Sequence, residues 1–142
     1  MLKMTSKAIL DTHTFLWFVG GNKAELNQKN ISDIEQYANN HSLYLSAISL
    51  WEISMLAKKG RITLEIPCLK WIDQAPQMPG LELVPLTPAI AVESAFLPGD
   101  FHGDPTDRMI VATARVIQAT LITRDVKIIN YGQQGYMQTA PL

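Results

Sequence analysis

Cysteine occurs once in this chain, at Cys68, so no internal disulfide can form. That usage points to a reducing compartment, and no histidine close by in sequence would make Cys68 a nucleophile. It reads as a buried or half-buried structural thiol. Charge is also scarce: charged residues are 18% of the chain and the formal net charge is −1. A protein that grips nucleic acid through bulk electrostatics is plainly basic, so any such work here needs local basic groups or a metal cation. No apolar run approaches membrane-spanning length. The stretch after the first seven residues breaks at Asp11, too early for a signal peptide, so the expectation is a cytoplasmic protein without a membrane partner. The three histidines, His13, His41 and His102, lack metal-ligand spacing, which argues against zinc. No glycine-rich loop appears in Asp11-Thr12-His13-Thr14, which argues against a nucleotide-binding module. An aspartyl-nucleophile phosphatase would want a second Asp at the position that His13 fills.

What is present fits one domain spanning residues 1–142, with 47% apolar residues and ample material for a core. Ala8-Ile9-Leu10 reads as a short buried strand, Thr12 to Val19 as a helix stopped by Gly20-Gly21. Ser32, with Glu35 three residues on, predicts a capping box for a second helix. Leu43 to Leu45 is a second strand, followed by a strongly apolar helix from Ala47 to Lys59. Ile62 to Ile66 suggests an extended piece, and Leu69 to Ala75 a helix. Leu81 to Val84 is a third strand, and Thr87-Pro88 opens a helix to Ala95. Leu97 to Gly103 is a loop, and Asp104-Pro105 opens the longest helix, to about Ala119. Leu121 to Thr123 is a fourth strand, Val126 to Tyr131 a short helix, and Met137 to Thr139 a last edge strand. Short apolar strands alternating with helices predict a parallel sheet covered on both faces. Ligands then bind at the carboxyl ends of the strands, where the strand order reverses.

Acidic residues fall where that rule looks for chemistry. Asp11 is the only full charge between Lys7 and Lys23 and follows the first strand directly. Glu52 is the only charge between Ala47 and Ala57, set among Ile48, Leu50, Trp51, Ile53, Met55 and Leu56. Apolar residues surround it on its helix, so it is expected to reach bulk water poorly and to need a cation or a raised pKa. Asp104 and Asp107 start the long helix, and Asp125 follows the fourth strand. Each has an ordinary reading: Asp11, Asp104 and Asp107 as helix-start residues, Asp125 as a turn residue, Glu52 pointing through a gap in an apolar face. Together they share one edge of the sheet. Four or five carboxylates gathered there would repel by several kcal/mol at an effective dielectric of about 20. Such a cluster calls for protons or a divalent cation, and an all-oxygen set selects Mg²⁺ or Mn²⁺ over zinc.

Four segments carry a family resemblance: Ile9-Leu10-Asp11-Thr12-His13-Thr14, Ser46-Ala47-Ile48-Ser49-Leu50-Trp51-Glu52-Ile53, the stretch from Asp104-Pro105-Thr106-Asp107-Arg108 to Ala114, and Leu121-Ile122-Thr123-Arg124-Asp125. In this order they resemble PIN-domain proteins of the VapC toxin type, the ribonuclease half of a bacterial toxin–antitoxin pair. The resemblance implies a PIN-like three-layer α/β/α sandwich with a central, mainly parallel sheet of four to five strands. It places the family's acids on Asp11, Glu52, Asp107 and Asp125, with Asp104 as the extra acid of a subgroup bearing Asp-Pro-x-Asp-Arg. Thr106 departs from that subgroup, which often carries an aromatic there. RNA as substrate, homodimers and inhibition by a VapB-like antitoxin are likewise what the resemblance implies. On this reading Asp11 and Asp107 are the leading direct metal ligands, and Glu52, Asp104 and Asp125 bind directly, through water, or orient the nucleophile.

Thr12, Ser46 and Thr123 are candidate supporting donors, with ordinary capping the alternative for each. Arg108, Arg115, Arg124 and Lys127 are candidate phosphate contacts, whereas Lys58, Lys59 and Arg61 mark a helix C-terminus. His102 reads as a solvated loop residue. Phe15, Trp17, Phe18 and Trp51 could stack bases, with core or dimer packing the preferred reading. Two other functions stay open: a non-catalytic domain of this fold that binds RNA or a partner, and a nuclease directed at DNA.

Overall fold

The computed structural model describes residues 5–22 and 24–142; residues 1–4, where the segment read above as too broken for a targeting signal begins, lie outside it. Among the described residues there are five strands: β1 (Ala8–Leu10), β2 (Leu43–Ser46), β3 (Leu81–Val84), β4 (Thr120–Thr123) and β5 (Thr139–Pro141). All pair in parallel, in the order β3-β2-β1-β4-β5. Parallel neighbours need long crossovers, and helices supply most of them: α1 (Thr12–Val19), α2 (Gln28–Asn39), α3 (Ala47–Lys58), α4 (Cys68–Gln74), α5 (Pro88–Ala95), α6 (Pro105–Ile117) and α7 (Val126–Gln133). Among the described residues, no helix is long and apolar enough to cross a membrane.

β1 lies at the centre with all three residues buried. Its side chains alternate between faces. Ile9 joins one core cluster with Ile110, Val111, Leu121 and Tyr131, while Ala8 and Leu10 join the other with Phe15, Leu26, Ile34, Leu43, Leu45 and Ile53. The result is the three-layer α/β/α sandwich, with a wholly parallel sheet of five strands. The chain runs outward from β1 through β2 to β3, then returns through α5 and α6 to place β4 on the other side of β1. The order therefore reverses between β1 and β4, and a crevice opens at their carboxyl ends.

Three local expectations are corrected. The second helix starts a turn before Ser32, at Asn27, whose side chain accepts from the Asn30 amide at 2.8 Å while Asn30 accepts from the Asn27 amide at 3.3 Å. Asn caps as well as Ser, and this reciprocal pair satisfies two amides, leaving Ser32 and Glu35 on the exposed surface. Residues 62–66 pair with no strand; Ile62 packs against the core from a loop. The last strand lies two residues later than expected, because Met137 turns into the core and Pro141, lacking an amide, is tolerated on an edge. Cys68 is half-buried beside Ser54, as a structural thiol.

α3 is less enclosed than its sequence implies. Only Ser49 and Ile53 are buried on it, and Trp51 is 55% exposed, so Trp51 is not a core residue and Glu52 is not shut away from water. Phe15, by contrast, is fully buried.

Gly80 shows how tightly α2 meets the start of β3. Its φ is +85°, and a Cβ there would stand 1.9 Å from the Ala38 carbonyl oxygen. Gly80→Ala is therefore expected to destabilise the fold by about 2 kcal/mol or more, read as a lowered denaturant midpoint at unchanged m-value.

Candidate active site

Asp11 follows β1 and caps α1. One carboxylate oxygen accepts from the Thr14 amide at 2.9 Å, and the other accepts from the Thr123 hydroxyl at the end of β4. The same Thr123 oxygen accepts from the Asp125 amide at 3.0 Å. Asp125 in turn caps α7, its Oδ1 accepting from the Lys127 amide at 2.8 Å and the Ile128 amide at 3.3 Å. Asp104 caps α6 by accepting from the Asp107 amide at 2.9 Å. The helix-start reading of Asp11 and Asp104 is thus correct, while Asp125, read as a turn residue, caps a helix as well; capping does not exclude a second role. A carboxylate offers about four lone-pair sites, so a cap leaves capacity to spare.

Asp11, Glu52, Asp104, Asp107 and Asp125 all line one open cleft of about 390 Å³, together with Thr12, His13, Trp17, Ile110 and Arg124. Arg124 is the single cation among these described lining residues. Glu52 and Asp107 accept no side-chain hydrogen bond from any described residue. The pKa of Asp107 rises from the ordinary 3.8 to about 7. Burial is the largest cause, followed by the negative charges of Asp104, Asp125 and Glu52. Gly103 makes room for this residue. A Cβ at that position would stand 2.3 Å from the Phe101 ring and 2.9 Å from the Asp107 Cβ.

The cleft carries the donor chemistry of a Mg²⁺ or Mn²⁺ site, but it is not contracted around a point. Among the described residues, no three His, Cys, Asp or Glu side chains are placed to hold one metal ion directly. Mg²⁺ characteristically keeps several waters and takes one or two carboxylates itself, so a spread set of acids suits it.

The neighbouring polar residues sort differently from the sequence expectation. Thr123 does support an acid. Thr12 donates instead to the Ser49 hydroxyl at 2.9 Å, and Ser46 caps α3 by accepting from the Ile48 amide at 3.2 Å. Arg108, a candidate phosphate contact, is engaged within the fold: its guanidinium donates to the carbonyls of Ser94 at 2.9 Å, Phe101 at 2.8 Å and Ala95 at 3.4 Å. It fastens the end of α5 and the 97–103 loop. Arg115 is similarly occupied by Glu93 at 3.1 Å and by the Tyr136 carbonyl. His102 is exposed, as expected of a loop residue. His13 and Trp17 were set aside in the sequence as a non-ligand and a packing residue, yet both line the cleft. Their spacing of four on α1 places them on one helix face with Asp11 just ahead, which is the signal that could have found them.

Asp107 gives a pH dependence of defined sign. Its folded pKa lies above its unfolded one, so its contribution to stability is present below about 3.8 and is lost as pH rises through about 7. Asp107→Asn removes the ionisation. In EDTA the variant is expected to melt above the wild type near about pH 8, the gap closing toward about pH 4; thermal melts across that range check it.

The PIN domain family model matches residues 8–133. Ribonuclease VapC22 of Mycobacterium tuberculosis is 33% identical over 120 residues, covering 84% of this chain and 88% of that protein. Among solved structures, VapBC2 from Rickettsia felis, bound to a DNA fragment from its promoter, superposes with a TM-score of 0.69 at 18% identity, over 94% of this chain and 97% of that one. DNA-bound VapBC from Salmonella typhimurium gives a TM-score of 0.64 at 18% identity, over 95% and 97%. The matched span takes in all five acids of the cleft, and with a relative at one-third identity over most of both chains, this protein belongs to the PIN-domain family, on its VapC branch.

Proposed function

We propose that the chain is a Mg²⁺- or Mn²⁺-dependent endoribonuclease, the toxin of a type II toxin–antitoxin pair, acting in the cytoplasm as one PIN-like domain over residues 1–142. The observation that carries this reading is the gathering of Asp11, Glu52, Asp104, Asp107 and Asp125 around one cleft, where burial first and the neighbouring carboxylates second raise the pKa of Asp107 to about 7. VapC-type PIN ribonucleases depend on divalent metal as a class, and the oxygen donors here fit one. When bound, such an ion supplies charge neutralisation and a water of lowered pKa.

The chain's own residues do the rest. Asp11 is held by the Thr14 amide and the Thr123 hydroxyl, so its carboxylate cannot swing out of the cleft. Glu52 and Asp107 accept from no described side chain, the Asp107 carboxyl meeting only the Asp104 backbone amide, and both are available to ligate or to take a proton from water. Asp104 and Asp125 each commit one oxygen to a helix start and present the other. Hydrolysis breaks the P–O3′ bond as water oxygen joins phosphorus, leaving a 5′-phosphate and a 3′-hydroxyl. A VapB-like antitoxin and a second copy of the chain are the partners of this reading, supported by exposed apolar residues such as Trp51 on α3 and Val92 and Phe96 on α5.

Purified protein is expected to cut RNA in Mg²⁺ or Mn²⁺, to stop in EDTA, and to lose cleavage in Asp11→Asn while keeping its fold. DNA of the same sequence, run alongside, separates the sugar preference. Cleavage by Asp11→Asn at the wild-type rate would defeat the assignment. Thr123→Val, which removes the donor behind Asp11 but no ligand, is expected to lower kcat or metal affinity by about 10- to 100-fold. A metal titration of the cleavage rate reads it.

A further inference from the structure

One wall of the acidic cleft is built from an aromatic ring and a cation stacked together. The Arg124 guanidinium lies over the Trp17 ring, 4.5 Å from its centroid, and the His13 ring sits 6.0 Å from the same indole. All three residues line the cleft with the five acids. Glu25 fixes the guanidinium from the side, accepting from it both through its carboxylate and through its backbone carbonyl. Glu25 is itself anchored, because the next residue, Leu26, is fully buried and the Leu26 and Glu25 amides donate to the Asn22 carbonyl at 3.0 and 3.2 Å. The Arg124 side chain nonetheless stays 43% exposed.

A cation meant to clamp phosphate points its N–H groups at the anion. Here Glu25 takes two of those donors and offsets the charge, while the guanidinium lies over Trp17 and the side chain keeps its exposure to the cleft. From this geometry we infer that Trp17, Arg124 and Glu25 form a platform on which one unpaired nucleobase stacks, setting which bond of a single-stranded RNA enters the acidic cleft. Bases stack on aromatic rings and on guanidinium planes alike. The inference deepens the ribonuclease reading and rests on it for the identity of the ligand. Trp17 and Arg124 are on this view positioning residues, setting where the strand is cut rather than how.

The test is binding of a fluorescein-labelled single-stranded RNA oligonucleotide, measured by anisotropy in Ca²⁺, with an abasic oligonucleotide of equal length as control. Trp17→Ala is expected to weaken binding of the ordinary strand about tenfold or more, as loss of one stacked base does. Arg124→Lys keeps the charge but not the plane and is expected to weaken it comparably. Neither variant should differ from wild type on the abasic strand. Because Trp17 packs partly against the core, Arg124→Lys and Trp17→Phe, which leave that packing largely in place, keep the test readable if Trp17→Ala fails to fold. Wild-type affinity in Arg124→Lys, or equal losses on both strands, would overturn the platform in favour of a phosphate contact. Cleavage of the same strand in Mn²⁺ is read separately. Platform-dependent binding without cleavage defeats the nuclease reading alone, and cleavage at unchanged sites and affinity in the variants defeats the platform alone.

Discussion

Parallel pairing of β1 with β4 sets Leu10 opposite Ile122, so the residues that follow, Asp11 and Thr123, emerge side by side. The hydroxyl of one donates to the carboxylate of the other, and the amide of Asp125 donates to that hydroxyl. Two strand ends and two helix starts are thereby tied at a single point. Everything else in the cleft is arranged around it: α3 brings Glu52 from the β2 side, and α6 brings Asp104 and Asp107 across the gap left where the strand order turns back.

The tie also concentrates negative charge where the fold has little to offset it. Arg108 and Arg115, the cations of α6, are engaged with carbonyls and with Glu93 elsewhere, and Arg124 is matched by Glu25. Stability and activity therefore make opposite demands on this edge. The protein tolerates the conflict because helix amides already absorb part of the charge of Asp11, Asp104 and Asp125, so the residual strain falls on Asp107.

Much of this was legible in the sequence, and the reason is local. Strands of three or four apolar residues bounded by a polar residue and a capped helix announce themselves, so β1 to β4 and the helices α1, α3, α5 and α6 fall within about two residues of expectation. Asp11 and Glu52 were visible because charge is so sparse around them, and Asp104, Asp107 and Asp125 because they stand at a helix start or just after a strand. What escaped notice depends on tertiary contact. Nothing in the sequence says that Arg108 will spend its donors on three carbonyls, or that Glu25, 99 residues from Arg124, will lay its guanidinium on Trp17. The burial of α3 was overestimated for a similar reason, since an apolar helix is enclosed only if something packs on its outer side.

Gly103 bears on how such a site can be lost. Its missing side chain is the gap into which the Phe101 ring and the first turn of α6 settle, and that turn carries Asp107. A chain that inherited a bulkier residue there would retain all five acids in their familiar order and spacing. It would still pass for a nuclease by its motif, while the crowded turn held one of those acids out of reach of the others. Inactivation in this fold can thus be silent at every acidic position, written instead in a residue with no chemistry of its own.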